Sequence, residues 1–592
     1  MSMSMVEKAR MLVNSGKAAQ AEPMLRRHLQ REPGDILANH LLSFALMQLD
    51  RCEQAIFFAE KAVAGRPQDA AMWDVLGTIL IQLGQKERAC DAFRRAVAID
   101  ATSAGLWNGL ASVLTQLGEF EEALAAYQKA YALAPDNIPF ICNYAYALGE
   151  ASRPEEAIDL LRTTASKFPN SAEIRVQLAS ILNYSDRVSR EEVFEHHAAL
   201  GRLLETSVKP PAAPVARSRT GRPLRIGLLS GDFRDHSCAR FIEPLLRGRD
   251  LAAATFVLYH ASEKSDAVTE RLRSLADEWR DVSKLDDPAA AARIRRDELD
   301  VLVELGAHTA GNRLNVMLHR PAPVLATYLG YPNTTGFRTI HARIVDAQTD
   351  PEGPPYHADR FATERLIRLD PCFLCYQPDP DSPDVGPPPC MSAEHVTFGS
   401  FNKLTKASDT TLDLWGKVIA AVPHSRLLLK GAAIKVPHSR ERLMSALRSR
   451  GVDESRVDLL PSAPTTREHL QQYARVDIAL DTFPYHGTTT TCEALWMGVP
   501  VVALAGLPHA SRVSVSLLRC VGLPELVAES PEQYVQIAAG LARDRAALGR
   551  LRRAMRDRVR ASPLCDAAGF ARRFVEALAS IDVSAPRAPS PG

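Results

Sequence analysis

Three short segments carry residues that could handle a phosphate-activated group. In residues 481–502, DTFPYHGTTTTCEALWMGVPVV, an apolar run breaks at Pro484 and Gly487, and Thr488, Thr489, Thr490 and Thr491 open the helical pattern CEALWMG. A helix start offers unpaired N–H groups and the positive end of the peptide dipole. Hydroxyls there add donors and can cap the helix, so a nucleoside diphosphate is the natural guest. In residues 398–408, FGSFNKLTKAS, Lys406 follows the apolar pattern VTFGSF, where an ammonium can neutralise a departing diphosphate. In SGDFRDHSCARFIEPLL, His236 lies between a strand pattern and a helix pattern, where an imidazole can take or guide a hydroxyl proton. A fourth segment, ELGAHTAGNRLNVMLHRPAPVLATYLGYPNTTG, has glycines for tight turns and offers His308, Arg313 and Tyr331 as groups that could line a cleft on the acceptor side.

These residues need strand ends to hold them, and the sequence supplies two sets. LRIGLLS, ATFVLYH, LDVLVEL, PVLATYLG and ARIVD alternate with helical patterns after Leu224, and VTFGSF, SRLLLKG, RVDLLP, VDIALD, PVVALAG and ELVAE do so after residue 390. Such alternation predicts two doubly wound parallel sheets with ligands at the carboxyl ends of their strands. The segment 376–389, YQPDPDSPDVGPPP, reads as a solvated linker between the lobes, and 206–223 as another linker preceding the first.

The first third repeats. Ala21, Ala55, Ala89, Ala123 and Ala157 are spaced by 34 residues, Pro33, Pro67, Pro135 and Pro169 share that period with Ala101 in the open slot, and Trp73 and Trp107 follow it. This is the tetratricopeptide period, giving about five helix pairs whose alanines, leucines and tryptophans are core. The expected domains are 1–171 repeats, 172–223 a helical transition and linker, 224–389 and 390–580 the two lobes, and 581–592 a disordered tail.

The chain has 592 residues, 46% hydrophobic and 24% charged, and its 71 basic against 70 acidic residues leave +1. That balance argues against nucleic acid or an anionic membrane as a partner. With no apolar run of membrane-spanning length and ten scattered cysteines, a cytoplasmic protein is expected. No metal is expected. Only Cys372 and Cys375 have ligand-like spacing, without a second pair, and Asp379, Asp381 and Asp384 are spread by prolines.

The motifs 481–502, 398–408 and HASRVSVSLL (509–518), in that order behind helical repeats, resemble the O-linked N-acetylglucosamine transferases and their bacterial relatives. The resemblance implies a tetratricopeptide solenoid before a two-lobed GT-B glycosyltransferase, inverting, with a UDP-sugar as donor substrate and no cofactor. Lys406 and Asn402 match the motif Phe-Asn-x-x-x-Lys, and Lys403 stands where relatives carry an amide. Glu493 matches an acidic position suited to ribose hydroxyls, His469 a histidine beside the uridine, and His236 the histidine after an Asp-Phe turn. Asparagines that hold peptide on the concave face of animal members correspond here to Leu41, Val75, Gly109 and Asn143, so only Asn143 fits. Asn333 stands where animal members have glycine. The expected activity is transfer of N-acetylglucosamine from UDP-GlcNAc to Ser or Thr of proteins recruited by the repeats. Transfer of glucose or another hexose, or transfer to Asn, remains open, as does a repeat scaffold with an inactive transferase.

Overall fold

The computed structural model describes residues 3–583 apart from 217, 219, 220 and 436, with backbone alone at 433 and 438. The chain divides between Leu161 and Arg162 into two compact units, Lys435–Arg440 being grouped with the first.

The first unit is built of helix pairs, from Met5–Asn14 with Ala18–Arg31 up to Ala104–Leu117 with Phe120–Leu133, followed by Ile138–Glu150. The five periodic alanines are all fully buried. A methyl at each lets the paired helices close to a distance that a longer side chain would prevent. Trp73 and Trp107 are only half-buried, and each indole donates to a carbonyl six residues earlier, of Pro67 and Ala101, at 2.9 Å. They tie a helix to the turn before it rather than filling the core. Gly118 closes the helix Ala104–Leu117 in the left-handed region, φ 86°. The positions expected on the concave face are occupied by packing instead. Leu41 and Val75 are buried, and a Cβ at Gly109 would meet the Phe93 ring at 2.5 Å. Asn143 does find an amide partner, but from a neighbouring register: its Nδ2 donates to Asn108 Oδ1 at 3.1 Å.

The second unit starts with helices Ala172–Leu182 and Arg190–Ser207, broken by residues 183–189. Two parallel sheets follow. The first holds β1 (Leu224–Ser230), β2 (Ala254–His260), β3 (Glu278–Asp281), β4 (Val301–Glu304), β5 (Val324–Tyr328), β6 (Ala342–Val345) and β7 (Arg365–Arg368) in the order β3-β2-β1-β4-β5-β6-β7. The second holds β8 (Thr397–Ser400), β9 (Arg426–Lys430), β10 (Val457–Leu460), β11 (Ile478–Leu480), β12 (Val501–Leu504) and β13 (Val527–Ala528) in the order β10-β9-β8-β11-β12-β13. The architecture is therefore tetratricopeptide helices followed by two parallel α/β lobes. In each sheet the strand order reverses beside the first strand, between β1 and β4 and between β8 and β11. A crevice opens at the carboxyl ends there.

Two strands escape the apolar pattern, β3 (EWRD) and β7 (RLIR), and both are sheet edges. The segment 376–389 is not a solvated linker. Its backbone is strapped down by Gln377 N to Arg240 O (2.9 Å), Arg556 to Pro383 O (2.7 Å) and Arg552 to Gly386 O (3.0 Å), and Asp379 pairs with Arg240. The last helix, Ala567–Ala579, which the sequence assigns to the second lobe, returns to the first: Phe574 is fully buried with its ring 5.1 Å from that of Tyr328 on β5. Ile581 joins that core, so the expected tail does not begin at 581, and 584–592 lie outside the described residues.

Candidate active site

Asp481, one residue beyond β11, organises the second-lobe crevice. Its buried Oδ1 accepts from Asn402 Nδ2 (2.9 Å), Thr482 N (2.9 Å) and Gly487 N (2.8 Å). Asn402, just past β8, in turn accepts from Thr490 Oγ1 at 2.7 Å. Two strand ends and the mouth of the helix Thr489–Trp496 are thus joined through one carboxylate. Gly487 has no room for a side chain, since a Cβ would lie 2.5 Å from Thr490 Oγ1 and 2.7 Å from Thr491 Oγ1.

The threonines do not cap their helix. Thr488 is the N-cap without a side-chain bond, Thr490 turns to Asn402, and Thr491 pairs with Ser514 at 2.9 Å. Thr489 Oγ1 is buried without a partner among the described residues. Because none of these hydroxyls caps the helix, the first-turn N–H groups stay available to a ligand.

Lys406 stands over this mouth. Its Nζ donates to His486 O at 2.8 Å and lies 4.0 Å from the centre of the Tyr485 ring. Burial brings its pKa down to about 8, opposed by the Asp481 charge and assisted by exposed Lys403. His486, fully buried, donates from Nε2 to Leu504 O (2.9 Å) and accepts at Nδ1 from Ser514 N (3.2 Å), which makes it a fixed neutral prop for the loop.

Beside the mouth lies a triad with one member the sequence did not reveal. Lys430, at the end of β9, hydrogen-bonds His469 Nδ1, and His469 Nε2 faces Glu493 Oε2 at 2.9 Å. A lysine donating to Nδ1 leaves the ring proton on Nε2, which therefore donates to the carboxylate. Burial lowers Lys430 to about 8, with Glu493 holding it up. Phe401 and Tyr473, ring centres 4.5 Å apart, wall the group. Lys430 was hidden because in sequence it only ends an apolar strand, SRLLLKG.

Across the crevice, His236 follows β1 and is partly exposed. Its Nδ1 accepts weakly from Cys238 N (3.3 Å) and faces Asp232 Oδ2 at 3.6 Å. Burial lowers its pKa, Asp232 raises it, and Arg234 and Lys403 lower it further, so the ring is neutral near pH 7. Lys403 of the second lobe is among the charges that act on the His236 ring. Asp232, His236 and Cys238 have ligand atoms within 4.8 Å of one another, the cluster near the crevice that could hold a cation. Cys238 suits that role poorly, because burial pushes its thiol far up and thiolate is the ligand form. Glu304 closes the floor, buried, accepting from Gly306 N (2.8 Å) and Ala307 N (2.7 Å), and desolvation lifts its carboxyl to about 7.

The other first-lobe candidates, expected on the cleft, are each held by partners within the protein. Arg313 is tied to Asp287 (2.9 Å) and the carbonyls of Val282 and Leu285, as an internal brace. His308 is buried on Thr335 O at 2.7 Å, and burial lowers its pKa. Tyr331 is buried with its hydroxyl bonded to His197 Nε2 (2.8 Å), Asn183 Nδ2 (2.9 Å) and Ala179 O (3.1 Å). These bonds fasten the preceding helices to the first lobe. Asn333 joins them through Asn183 Oδ1 at 2.9 Å.

Comparison with known proteins agrees with this fold. A model of Glycosyl transferase family 41 matches residues 179–374 and 390–574, and a Tetratricopeptide repeat model matches 12–79 and 116–181. The probable UDP-N-acetylglucosamine–peptide N-acetylglucosaminyltransferase SPINDLY of Solanum lycopersicum is 42% identical over 398 residues, covering 66% of this chain and 42% of that protein. Its Arabidopsis thaliana counterpart is 45% identical over 354 residues, covering 59% and 38%. The chain therefore spans about two fifths of the length of these relatives. The solved structure of a lysine-to-methionine mutant of the Thermobaculum terrenum O-GlcNAc transferase is 34% identical, with TM-score 0.78, covering 86% of this chain and 97% of that one. With the family model spanning both lobes and well over half of the sequence, the chain belongs to glycosyl transferase family 41.

Proposed function

We propose that the protein is an inverting glycosyltransferase that moves N-acetylglucosamine from UDP-GlcNAc to Ser or Thr hydroxyls of proteins. The observation that carries this reading is Lys406 bonded to the loop before a helix mouth whose N-cap Thr488 makes no side-chain bond, with His236 at the carboxyl end of β1 within reach of the Lys403 charge. The acceptor oxygen attacks the anomeric carbon, the bond from that carbon to the diphosphate breaks, and UDP leaves with the charge that Lys406 and the helix N–H groups stabilise. The Cys238 N–H at His236 Nδ1 places the ring proton on Nε2. In that tautomer His236 orients the hydroxyl as a donor. It becomes the base once its proton moves to Nδ1, toward Asp232. The His469–Glu493 pair, braced by Lys430, is assigned to the nucleoside, and Lys403 adds an exposed cation at the diphosphate.

Protein cations and helix N–H groups are proposed to replace a metal. The relatives named as peptide transferases, together with the repeats, support protein acceptors. Among the described residues no helix is long and apolar enough to cross a membrane. No disulfide joins the ten cysteines, which suits a reducing, cytoplasmic setting. Intact-mass analysis of candidate proteins after incubation with a panel of UDP-sugars tests the reading. A gain of one N-acetylhexosamine from UDP-GlcNAc supports it, a hexose gain from UDP-glucose replaces the sugar, and no gain or UDP release with any donor overturns it.

A further inference from the structure

The stretch 183–189, which breaks the two helices before the first lobe, reaches both sides of the crevice. Asn183 holds Tyr331 and Asn333 of the first lobe. On the second lobe, Asp186 accepts from Thr410 N (3.2 Å) and Arg187 pairs with Asp409 at 2.5 Å. Between these anchors the Tyr184 ring stacks on Tyr485, centres 4.9 Å apart and planes within 24°. Tyr485 is the residue whose ring lies 4.0 Å from Lys406 Nζ. Its loop is further held by Ser408 and Thr411, which both donate to Phe483 O.

We propose that Tyr184 and Tyr485 are positioning residues for Lys406: the stacked pair presents an aromatic face that fixes the ammonium over the helix mouth and favours its charged form. A lysine on a four-carbon stem samples many rotamers, and a single carbonyl acceptor leaves two of its three N–H directions open. The negative face of an aromatic ring restrains such a cation without neutralising it, so the ammonium keeps its full charge for the diphosphate. The charged or titratable groups around it are Asp481, Lys403 and neutral His486. Asp481 favours the ammonium and Lys403 opposes it. The stack also makes 183–189 more than a connection, since its register sets where Tyr485 stands. This rests on the assignment of Lys406 as the diphosphate cation.

The test uses Tyr485→Leu, which keeps apolar volume and excludes water but has no π face. Turnover should fall about tenfold with donor KM within about twofold, and the alkaline limb of kcat/KM should move down by about half to one pH unit. The sign follows because the ammonium loses a stabilising partner while its desolvation stays. Tyr485→Phe, which keeps the ring, should restore most of the lost turnover and the limb. Should Tyr485→Leu not fold, Tyr184→Leu is judged by the same turnover and limb criteria, with about half the effect. Lys406→Ala in parallel separates the two ideas: full turnover there removes the diphosphate role itself. An inactive Lys406→Ala beside a Tyr485→Leu with normal turnover and an unmoved limb overturns this inference alone.

Discussion

The second-lobe loop 481–491 and the first-lobe segment 304–336 both mix polar residues with glycine, yet they use them in opposite ways. Around 481–491 each side chain that is tied off leaves another group available. Asp481 takes up Asn402, Asn402 takes up Thr490, and the helix N–H groups and the Lys406 ammonium remain for a ligand. In 304–336 the polar groups are consumed by the protein: His308 by Thr335, Arg313 by Asp287, and Tyr331 by His197 and Asn183. A conspicuous polar motif can thus build a site or fasten a frame. The distinction lies in whether its donors end on the protein.

Substitutions on the two sides should therefore fail differently. Lys406→Ala should lower turnover by about a hundred-fold to a thousand-fold, on the order of 3 to 4 kcal/mol, with an unchanged melting curve. Near-normal steady-state turnover would reverse the assignment of this loop. Tyr331→Phe should do the converse. Removing its hydroxyl leaves His197 Nε2 and Asn183 Nδ2 buried with one bond fewer, which costs about 1 to 3 kcal/mol of stability, while UDP affinity by calorimetry stays the same. A Tyr331→Phe protein with full thermal stability but impaired transfer would move Tyr331 from the frame to the site.

The legibility of the chain follows the same division. The central strands were readable because both of their faces are buried, which forces continuous apolar runs such as LRIGLLS and VDIALD. The edges β3 and β7 were not, because an edge meets water and tolerates Glu278, Arg280, Arg365 and Arg368. The helix mouth and Lys406 were visible because glycine, threonines and a cation cluster in sequence. Lys430 and His197 were hidden, since each gains its meaning from a partner far along the chain, His469 and Tyr331. The misreading of segment 376–389 has the same origin: arginines 552 and 556, which strap it down, lie more than 160 residues away.

A milder probe is pH. In the donor-free enzyme Lys406 loses its charge near pH 8, so kcat/KM should fall as pH rises through about 8. The limb of kcat should lie higher, because a bound diphosphate stabilises the ammonium. Lys430 titrates in the same range, and a limb that survives in Lys430→Met belongs to Lys406. Coincident limbs for kcat and kcat/KM would show that the lysine does not meet the diphosphate.

Metal removal should have no effect, and loss of the repeats should spare the donor chemistry. Excess EDTA should leave transfer intact, and activity that vanishes and returns with magnesium or manganese would transfer the charge role to an ion, with Asp232 and His236 as the first ligands to test. A chain starting near residue 170, past the helix Pro154–Lys167, should retain donor hydrolysis while transferring poorly to folded protein, once circular dichroism shows it intact. Equal transfer to protein by that truncation would contradict a recruiting role for the solenoid.

The account rests on a diphosphate meeting Lys406, and calorimetry with UDP and UMP tests this most directly. UDP carries at its β-phosphate the charge that develops on the leaving group, and UMP lacks it. The wild-type protein should bind UDP more than tenfold tighter than UMP, and Lys406→Ala should lower that ratio several-fold, the helix N–H groups keeping the remainder, while leaving UMP affinity unchanged. A UDP-to-UMP ratio as large in Lys406→Ala as in the wild type would contradict the claim.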